Sequence, residues 1–179
     1  WYPNDMDPQF GVFIQKQASA ISRCKEIVVY ASHAHSDKSK PSYELKLIQL
    51  GNLTEYNMYY RKSSAFVAPV INALRYVKAW KKTYKIIKAN HGLPEIVHAY
   101  ILLRPAILAY ILSRRNRIPL VISEQWSGYT NGKFEKRSWL TRNLSKFAFK
   151  KADERIAVST FLQSSMEKLG FSTPIKVVP

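Results

Sequence analysis

The sequence has one cysteine, no long apolar run and few acidic residues. Cys24 has no partner for an internal disulfide, which fits a reducing compartment. No apolar run reaches the roughly 18 residues that a membrane-spanning helix needs, and the first residues lack the basic and apolar regions of a signal peptide. The length of 179 residues, 46% of them hydrophobic, therefore predicts a single globular domain over residues 1–179.

Several fingerprints of cofactor sites and catalytic sites are also absent. The chain contains no GxGxxG, no P-loop and no GxSxG motif, so the common dinucleotide, ATP and hydrolase patterns are missing. His33 and His35 lie two residues apart in a polar stretch, but no further metal ligand lies near them in the sequence. We therefore expect neither a metal site nor a bound cofactor.

Acidic residues are outnumbered: 28 lysines and arginines face 12 aspartates and glutamates, which gives a net charge of +16. Such an excess predicts an anionic partner, which could be nucleic acid, a membrane surface or a phosphorylated ligand. No known RNA- or DNA-binding motif accompanies the charge, which favours the membrane. The residues expected to face a membrane lie in two predicted helices and are Arg75, Lys78, Lys82, Lys85, Arg142 and Lys146.

The order of the patterns predicts an α/β fold. Strands are expected at 26–32, 43–50 and 56–61, the last at a sheet edge, with a loop from His33 to Pro41 and a helix over 64–90. From residue 95 onward, strands at 95–99, 119–123, 154–159 and 175–178 alternate with helices at 104–116, 136–151 and 160–169. This alternation predicts a Rossmann-like, doubly wound, mainly parallel sheet with helices on both faces.

The stretch VISEQWSGY, residues 121–129, contains the main candidate site. It ends a predicted strand on polar and aromatic side chains, at the sheet edge where ligands of parallel α/β folds bind. The functional interpretation is a crevice wall in which the acid and the amide bind hydroxyls and the indole packs on a sugar ring or an apolar group. The alternative is a structural corner, with Glu124 as a cap and Trp126 in the core. The candidate residues are His98, Glu124, Gln125, Trp126 and Ser127.

Five segments together resemble the amino-terminal domain of retaining glycosyltransferases of family 4, also called group 1, which have the GT-B fold. They are WYPNDMDPQFGVFIQKQASAI, EIVHAYILLRPAILAYIL, IPLVISEQWSGY, KKADERIAVSTFLQSSMEKLGF and IKVVP. The resemblance implies that this domain binds the acceptor, while a second domain binds a nucleotide-sugar as co-substrate through two glutamates eight positions apart. No two glutamates of this sequence have that spacing. We therefore expect a fragment that lacks its first strand and the donor-binding domain, and that is inactive alone.

The resemblance also assigns roles to individual positions. Gln9, Phe10 and Gly11 match a loop that faces the donor phosphates. The segment Ser123–Trp126 matches a segment of the family in which a histidine is frequent at the position of Gln125. Glutamine forms hydrogen bonds but does not act as an acid or a base at ordinary pH. Its sugar-binding role is therefore retained as an expectation, whereas a catalytic role is not assigned.

Family members commonly act without a metal, at the cytoplasmic face of a membrane, on glycan or lipid-linked acceptors in cell-surface polysaccharide synthesis. The resemblance therefore implies a hexosyltransferase-type enzyme in the cytoplasm, peripheral at the inner face of the membrane. Two alternatives stay open at this point. One is a non-catalytic basic Rossmann-like module that binds nucleic acid, and the other is a GT-B nucleotide-sugar epimerase.

Overall fold

The computed structural model describes residues 1–179, which divide into two compact units, Trp1–Gly92 and Leu93–Pro179. Each unit has its own sheet, one of three strands and one of four. That residues 1–179 form a single domain stays a prediction. None of the helices has both the length and the apolar character that crossing a bilayer requires.

The first unit is a mixed three-stranded sheet with two helices. Its elements are α1 (Val12–Ile21), β1 (Ile27–His35), β2 (Tyr43–Leu50), β3 (Leu53–Arg61) and α2 (Ala68–His91). The strand order is β1-β3-β2, with β1 parallel to β3 and β2 antiparallel to it. Gly51 has a φ of 59° between β2 and β3, a left-handed conformation that a tight hairpin turn needs and glycine adopts without strain.

Two predictions in this unit are wrong. β3 was expected at an edge, but it lies between β1 and β2, and all its residues except Arg61 are buried. A loop was expected from His33, but β1 continues to His35 because it stays paired with β3 as far as Arg61. Pairing with the long central strand β3 therefore keeps residues 33–35 in a strand, although their composition indicates a loop.

The second unit is an all-parallel sheet of order β4-β5-β6-β7 with helical crossovers, as the alternation predicted. Its elements are β4 (Val97–Tyr100), α3 (Arg104–Asn116), β5 (Leu120–Glu124), a short 3₁₀ turn (Ser127–Tyr129), α4 (Trp139–Lys150), β6 (Glu154–Ala157), α5 (Thr160–Lys168) and β7 (Lys176–Val177). Ser138 and Ser159 cap α4 and α5 by accepting backbone N–H groups. The α/β class with mainly parallel strands and helices is thus confirmed.

The register of this sheet determines where the candidate site lies. Tyr100 is paired with Ser123, so the carboxyl ends of β4 and β5 are adjacent. The turn after β4 therefore meets Glu124, the last residue of β5. Beneath this junction the core contains fully buried side chains that include Leu102, Leu120, Ile122 and Phe149.

Candidate functional site

The centre of the site is a buried carboxylate at the end of β5. Glu124 is fully enclosed, and both of its oxygens accept hydrogen bonds. Oε1 accepts the backbone N–H groups of Gln125 and Trp126, each at 2.9 Å. Oε2 accepts the backbone N–H of Leu102 at 2.8 Å and the hydroxyl of Tyr129 at 2.9 Å. One side chain thus holds the β5 end, the turn after β4 and the 3₁₀ turn together.

The electrostatics of Glu124 result from two opposing effects. Burial raises the pKa of Glu124 above its usual value, while the N–H groups of Trp126 and Leu102 and the Tyr129 hydroxyl act to lower it. Burial, together with the charge of Glu124, raises the pKa of Tyr129 well above the ordinary value of a phenol. Tyr129 therefore stays protonated and remains a hydrogen-bond donor to the carboxylate.

The backbone is strained where it meets this carboxylate. Ile101, directly after β4, has a φ of 67°, which is unusual for a β-branched residue. It is held there by its N–H, which donates to Ser123 O at 3.0 Å, and by complete burial. Strained residues that persist are over-determined by their surroundings and are frequent at functional sites. The strain at Ile101 aims the next N–H, that of Leu102, at Glu124.

Trp126 packs inside the corner that Glu124 forms with the turn after β4 and the 3₁₀ turn. Its ring stands edge-on to Tyr129 at 5.4 Å between centroids, and the guanidinium of Arg137 lies 5.6 Å from the indole centroid. Gly128 gives the indole its space, because a Cβ at that position would lie 2.1 Å from Trp126 Cζ2. Only 7% of Trp126 remains exposed.

The structure corrects the expected role of two residues. Glu124 and Trp126 were expected to contact a sugar directly, but both are enclosed, and all four donors to Glu124 are protein groups. They match the alternative interpretation, in which the acid caps backbone groups and the indole packs in the core. Gln125 is half-buried and Ser127 is exposed, so these are the two residues of the corner that reach the surface.

His98 lies on β4 beside the corner. Its Nε2 is 2.7 Å from Ser123 Oγ, and its ring stacks on Tyr100 at 4.3 Å. Desolvation by the surrounding protein lowers the pKa of His98 to about 4, although the residue as a whole is exposed to solvent. The imidazole is therefore neutral at pH 7 and available for hydrogen bonding.

The loop expected to face donor phosphates lies in the first unit. Gln9 is exposed, and Phe10 stacks on Trp1 with 4.8 Å between centroids. Gly11 has a φ of 71°, and a Cβ there would lie 2.8 Å from the carbonyl carbon of Trp1. Glycine is thus required where the loop enters α1. Phosphate binding by this loop stays a prediction.

The predicted basic residues have different environments. Arg75 is half-buried and donates to Arg61 O at 2.7 Å, while Lys78 and Lys82 lie over the ring of Tyr43 at 5.7 and 4.7 Å. Lys85 is exposed.

Arg142 and Lys146, on α4, are half-buried as well, contrary to the expectation of an outward basic face. Lys146 Nζ lies 5.8 Å from the centroid of Phe171. The outward face of α4 has apolar residues instead, and they are Trp139, Leu140, Leu144 and Phe147.

Sequence reasoning missed three parts of this site, namely the Leu102 N–H, the Tyr129 hydroxyl and the strain at Ile101. The sequence has a signal for Tyr129, because a tyrosine five residues after a strand-terminal acid can reach back across a 3₁₀ turn. It has none for Ile101, because the left-handed conformation of this residue follows from strand pairing.

Comparison with known proteins identifies the family. The sequence model of the family described as Glycosyltransferase Family 4 matches residues 26–179. No curated protein matches the chain significantly. Because the match covers most of the sequence, the chain belongs to glycosyltransferase family 4, whose general chemistry is glycosyl transfer.

Proposed function

We propose that this chain is the acceptor-binding part of a retaining glycosyltransferase. The enzyme transfers a sugar from a nucleotide-sugar to a glycan or lipid-linked acceptor in the synthesis of cell-surface polysaccharide, without a metal. The nucleotide-sugar is bound mainly by residues outside 1–179, and residues 1–179 alone do not catalyse transfer. The observation that supports the proposal most directly is the Glu124 clamp in a chain of this family. This clamp is the set of four hydrogen bonds that Glu124 accepts from the backbone of Leu102, Gln125 and Trp126 and from the hydroxyl of Tyr129.

The clamp supports acceptor binding because it fixes the backbone that presents Gln125 and Ser127. Hydrogen bonds from three backbone N–H groups and one hydroxyl hold the corner rigid. A rigid scaffold that presents polar side chains positions a hydroxyl-rich ligand with little loss of conformational entropy. Glu124 and Trp126 act in this proposal as positioning residues, and Gln125 and Ser127 contact the acceptor.

The proposal places the enzyme in the cytoplasm, at the inner face of the membrane. α4 has four apolar residues on its outward face, among them Trp139, which is 70% exposed. Exposed cations flank them at Lys133, Lys136, Arg137, Lys150 and Lys151. An outward aromatic and aliphatic face edged by cations is the pattern of a helix that lies on an anionic bilayer. An enzyme that lies on the bilayer in this way can reach an acceptor that is linked to a membrane lipid.

The test is a transfer assay on the complete natural protein, with labelled nucleotide-sugars and the polysaccharide precursors of its own membranes. We expect transfer with a retained anomeric configuration, and a loss of kcat/KM of about tenfold or more in Gln125→Ala. Asn131→Ala is the matched control, since Asn131 is an exposed amide in the loop that follows the corner. An epimerised sugar without transfer, or full activity in Gln125→Ala, would contradict the proposal.

A further inference from the structure

Strand β2 is an edge strand of the first unit, and its outer side has no partner strand. The sheet order is β1-β3-β2, so β2 pairs with β3 alone. Residues 47–50 of β2 are all exposed, whereas no residue of β1, the other edge strand, is exposed. Leu47 and Leu50 are 55% and 63% exposed. β2 therefore presents an accessible, partly apolar edge with unpaired backbone N–H and C=O groups.

The usual features that keep an edge strand from pairing are absent from β2. Its eight residues, YELKLIQL, contain no proline. Its register with β3 runs without a bulge from the hairpin turn to the far end of the strand. Glu44 and Lys46 are its two charged residues, so the strand has no net charge although the chain has a charge of +16. Such an edge can accept another strand.

The pairing with β3 determines which backbone groups of β2 point outward. In an antiparallel pair, every second residue bonds to the partner strand, and the residues between them direct their N–H and C=O groups away from it. Arg61 donates its N–H to Ser42 O at 3.1 Å, one step beyond the end of the β2–β3 ladder. Ser42 and every second residue after it therefore face β3. The residues that direct their backbone groups outward are Tyr43, Leu45, Leu47 and Gln49.

The sequence of β2 is complementary to itself when two copies pair antiparallel about Leu45. In that register Leu45 lies opposite Leu45 of the second copy, and Tyr43 lies opposite Leu47. On the other face of the sheet, Glu44 of each copy lies opposite Lys46 of the other. Apolar side chains thus face apolar ones and each charge faces its opposite, and the two-fold symmetry forms each of these contacts twice.

The neighbouring registers are unfavourable. Outward-directed residues must face each other in the new ladder, so a change of register moves the two-fold axis along the strand one residue at a time. An axis at Glu44 places two carboxylates opposite each other, and an axis at Lys46 does the same with two ammonium groups. An axis at Leu47 places Lys46 opposite Ile48, so the charge has no partner. The charge pattern therefore selects the register about Leu45.

The charges of β2 are also available for contact with a second copy. None of the three ion pairs of the structure includes Glu44. Lys46 pairs with Asp5, and 43% of its side chain remains exposed. An ammonium group has three donors, so Lys46 can keep Asp5 and still bind a second carboxylate. An unpaired acid beside an exposed lysine is the arrangement that a symmetric partner completes.

We propose that the protein forms a two-fold symmetric dimer through antiparallel pairing of β2 with β2 of a second copy, centred on Leu45. The two three-stranded sheets then join into one sheet of six strands. The net charge of +16 opposes association at long range, so we expect a dissociation constant in the micromolar range at physiological ionic strength. The interface lies within Trp1–Gly92 and does not depend on the proposed transfer reaction.

The test measures the mass of the complete natural protein by sedimentation velocity over a series of concentrations. We expect an equilibrium between monomer and dimer. Glu44→Lys gives each copy two lysines at the interface, and Lys46→Glu gives each copy two glutamates, so either variant alone should dimerise at least about tenfold more weakly. An equal mixture of the two variants should dimerise again, because each lysine of one then faces a glutamate of the other. Such complementation is not expected from variants that merely fail to fold.

Leu47→Ser and Leu50→Ser distinguish strand pairing from general apolar adhesion. Both leucines are exposed on β2, but only Leu47 lies within the segment that pairs about Leu45. Leu47→Ser should weaken the dimer by about tenfold, whereas Leu50→Ser should retain its affinity within about twofold.

Four results would overturn the proposal. The first is a protein that stays monomeric up to about 100 µM. The second is a charge variant that alone dimerises like the unsubstituted protein, and the third is a mixture of the two charge variants that stays monomeric. The fourth is an equal loss of affinity in Leu47→Ser and Leu50→Ser.

Discussion

The carboxylate of Glu124 accepts the backbone N–H of Leu102 at 2.8 Å, and this bond joins the end of β5 to the turn after β4. The two residues are 22 positions apart in the sequence, and the parallel pairing of Tyr100 with Ser123 brings them together. The same carboxylate accepts three further donors, so the corner depends on one side chain for its shape.

The first prediction concerns this carboxylate. Each carboxylate oxygen of Glu124 accepts two hydrogen bonds. In Glu124→Gln an amide NH₂ group replaces one of these oxygens, so this NH₂ group would face two hydrogen-bond donors of the protein in a buried space. We expect a loss of about 3 kcal/mol or more in the free energy of unfolding, measured by urea denaturation. Tyr129→Phe, which removes one donor, should cost about 1 kcal/mol. Equal costs for the two variants would contradict the clamp.

The second prediction concerns Gly128. A methyl group at this position would lie 2.1 Å from the indole of Trp126, so Gly128→Ala should displace the ring. We expect a loss of about 1–3 kcal/mol in stability and a weaker near-ultraviolet circular dichroism signal from the aromatic cluster.

Gly132→Ala is the control for this variant. Gly132 has a φ of 73° but nothing within 4 Å of its would-be Cβ. Its substitution should cost only the backbone strain of about 1–2 kcal/mol and leave the aromatic signal intact. An unchanged aromatic signal in Gly128→Ala would show that the ring is not confined as described.

Local signals in the sequence were enough to predict much of the second unit. The helix expected at 104–116 has those bounds in the structure, because Pro105 favours its first turn and Arg114 and Arg115 favour its last. The alternation of strands and helices from residue 95 likewise predicted the parallel sheet. These features depend on neighbours in the chain, which a sequence pattern records directly.

The sites were less predictable because they depend on pairing between distant segments. A strand over 56–61 was expected at a sheet edge, yet Glu55 and Asn57 of β3 are buried, and they form hydrogen bonds with Tyr2, Gln15 and His33. In the same way, Glu124 at a strand end was open to two interpretations, a ligand contact and a structural cap, and its four donors allow it to be enclosed. Sequence patterns show the polarity of a residue but not the donors that reach it from elsewhere in the chain.

The third prediction concerns the pH dependence of stability. Burial lowers the pKa of His33, while its hydrogen bond with Asn57 and the charge of Asp5 oppose this. The unfolded state, with a histidine pKa of about 6.5, therefore binds the proton more readily. Stability should fall as the pH drops below about 6.5 and recover above it.

His33→Gln tests this directly, because glutamine can still donate to Asn57 Oδ1. The free energy of unfolding should depend less steeply on pH between about 6.5 and 5 than in the unsubstituted chain. His98, whose pKa is lowered to about 4, contributes in the same direction and is unchanged in this variant, so part of the slope should remain. An identical slope in both chains would exclude a neutral, buried His33 as its source.

The fourth prediction concerns the outward face of α4. Trp139 and Leu140 are 70% and 59% exposed, and the cations around them favour an anionic surface. The double variant Trp139→Ser, Leu140→Ser should lose most of its binding to vesicles of phosphatidylglycerol and phosphatidylcholine, measured by co-sedimentation.

Phe161→Ser is the matched control, because Phe161 is also 70% exposed but lies on α5. Its vesicle binding should be unchanged if α4 is the helix that enters the interface. Equal losses in both variants would indicate non-specific apolar adsorption, and steep salt-dependent binding to RNA without vesicle binding would instead favour a nucleic-acid partner.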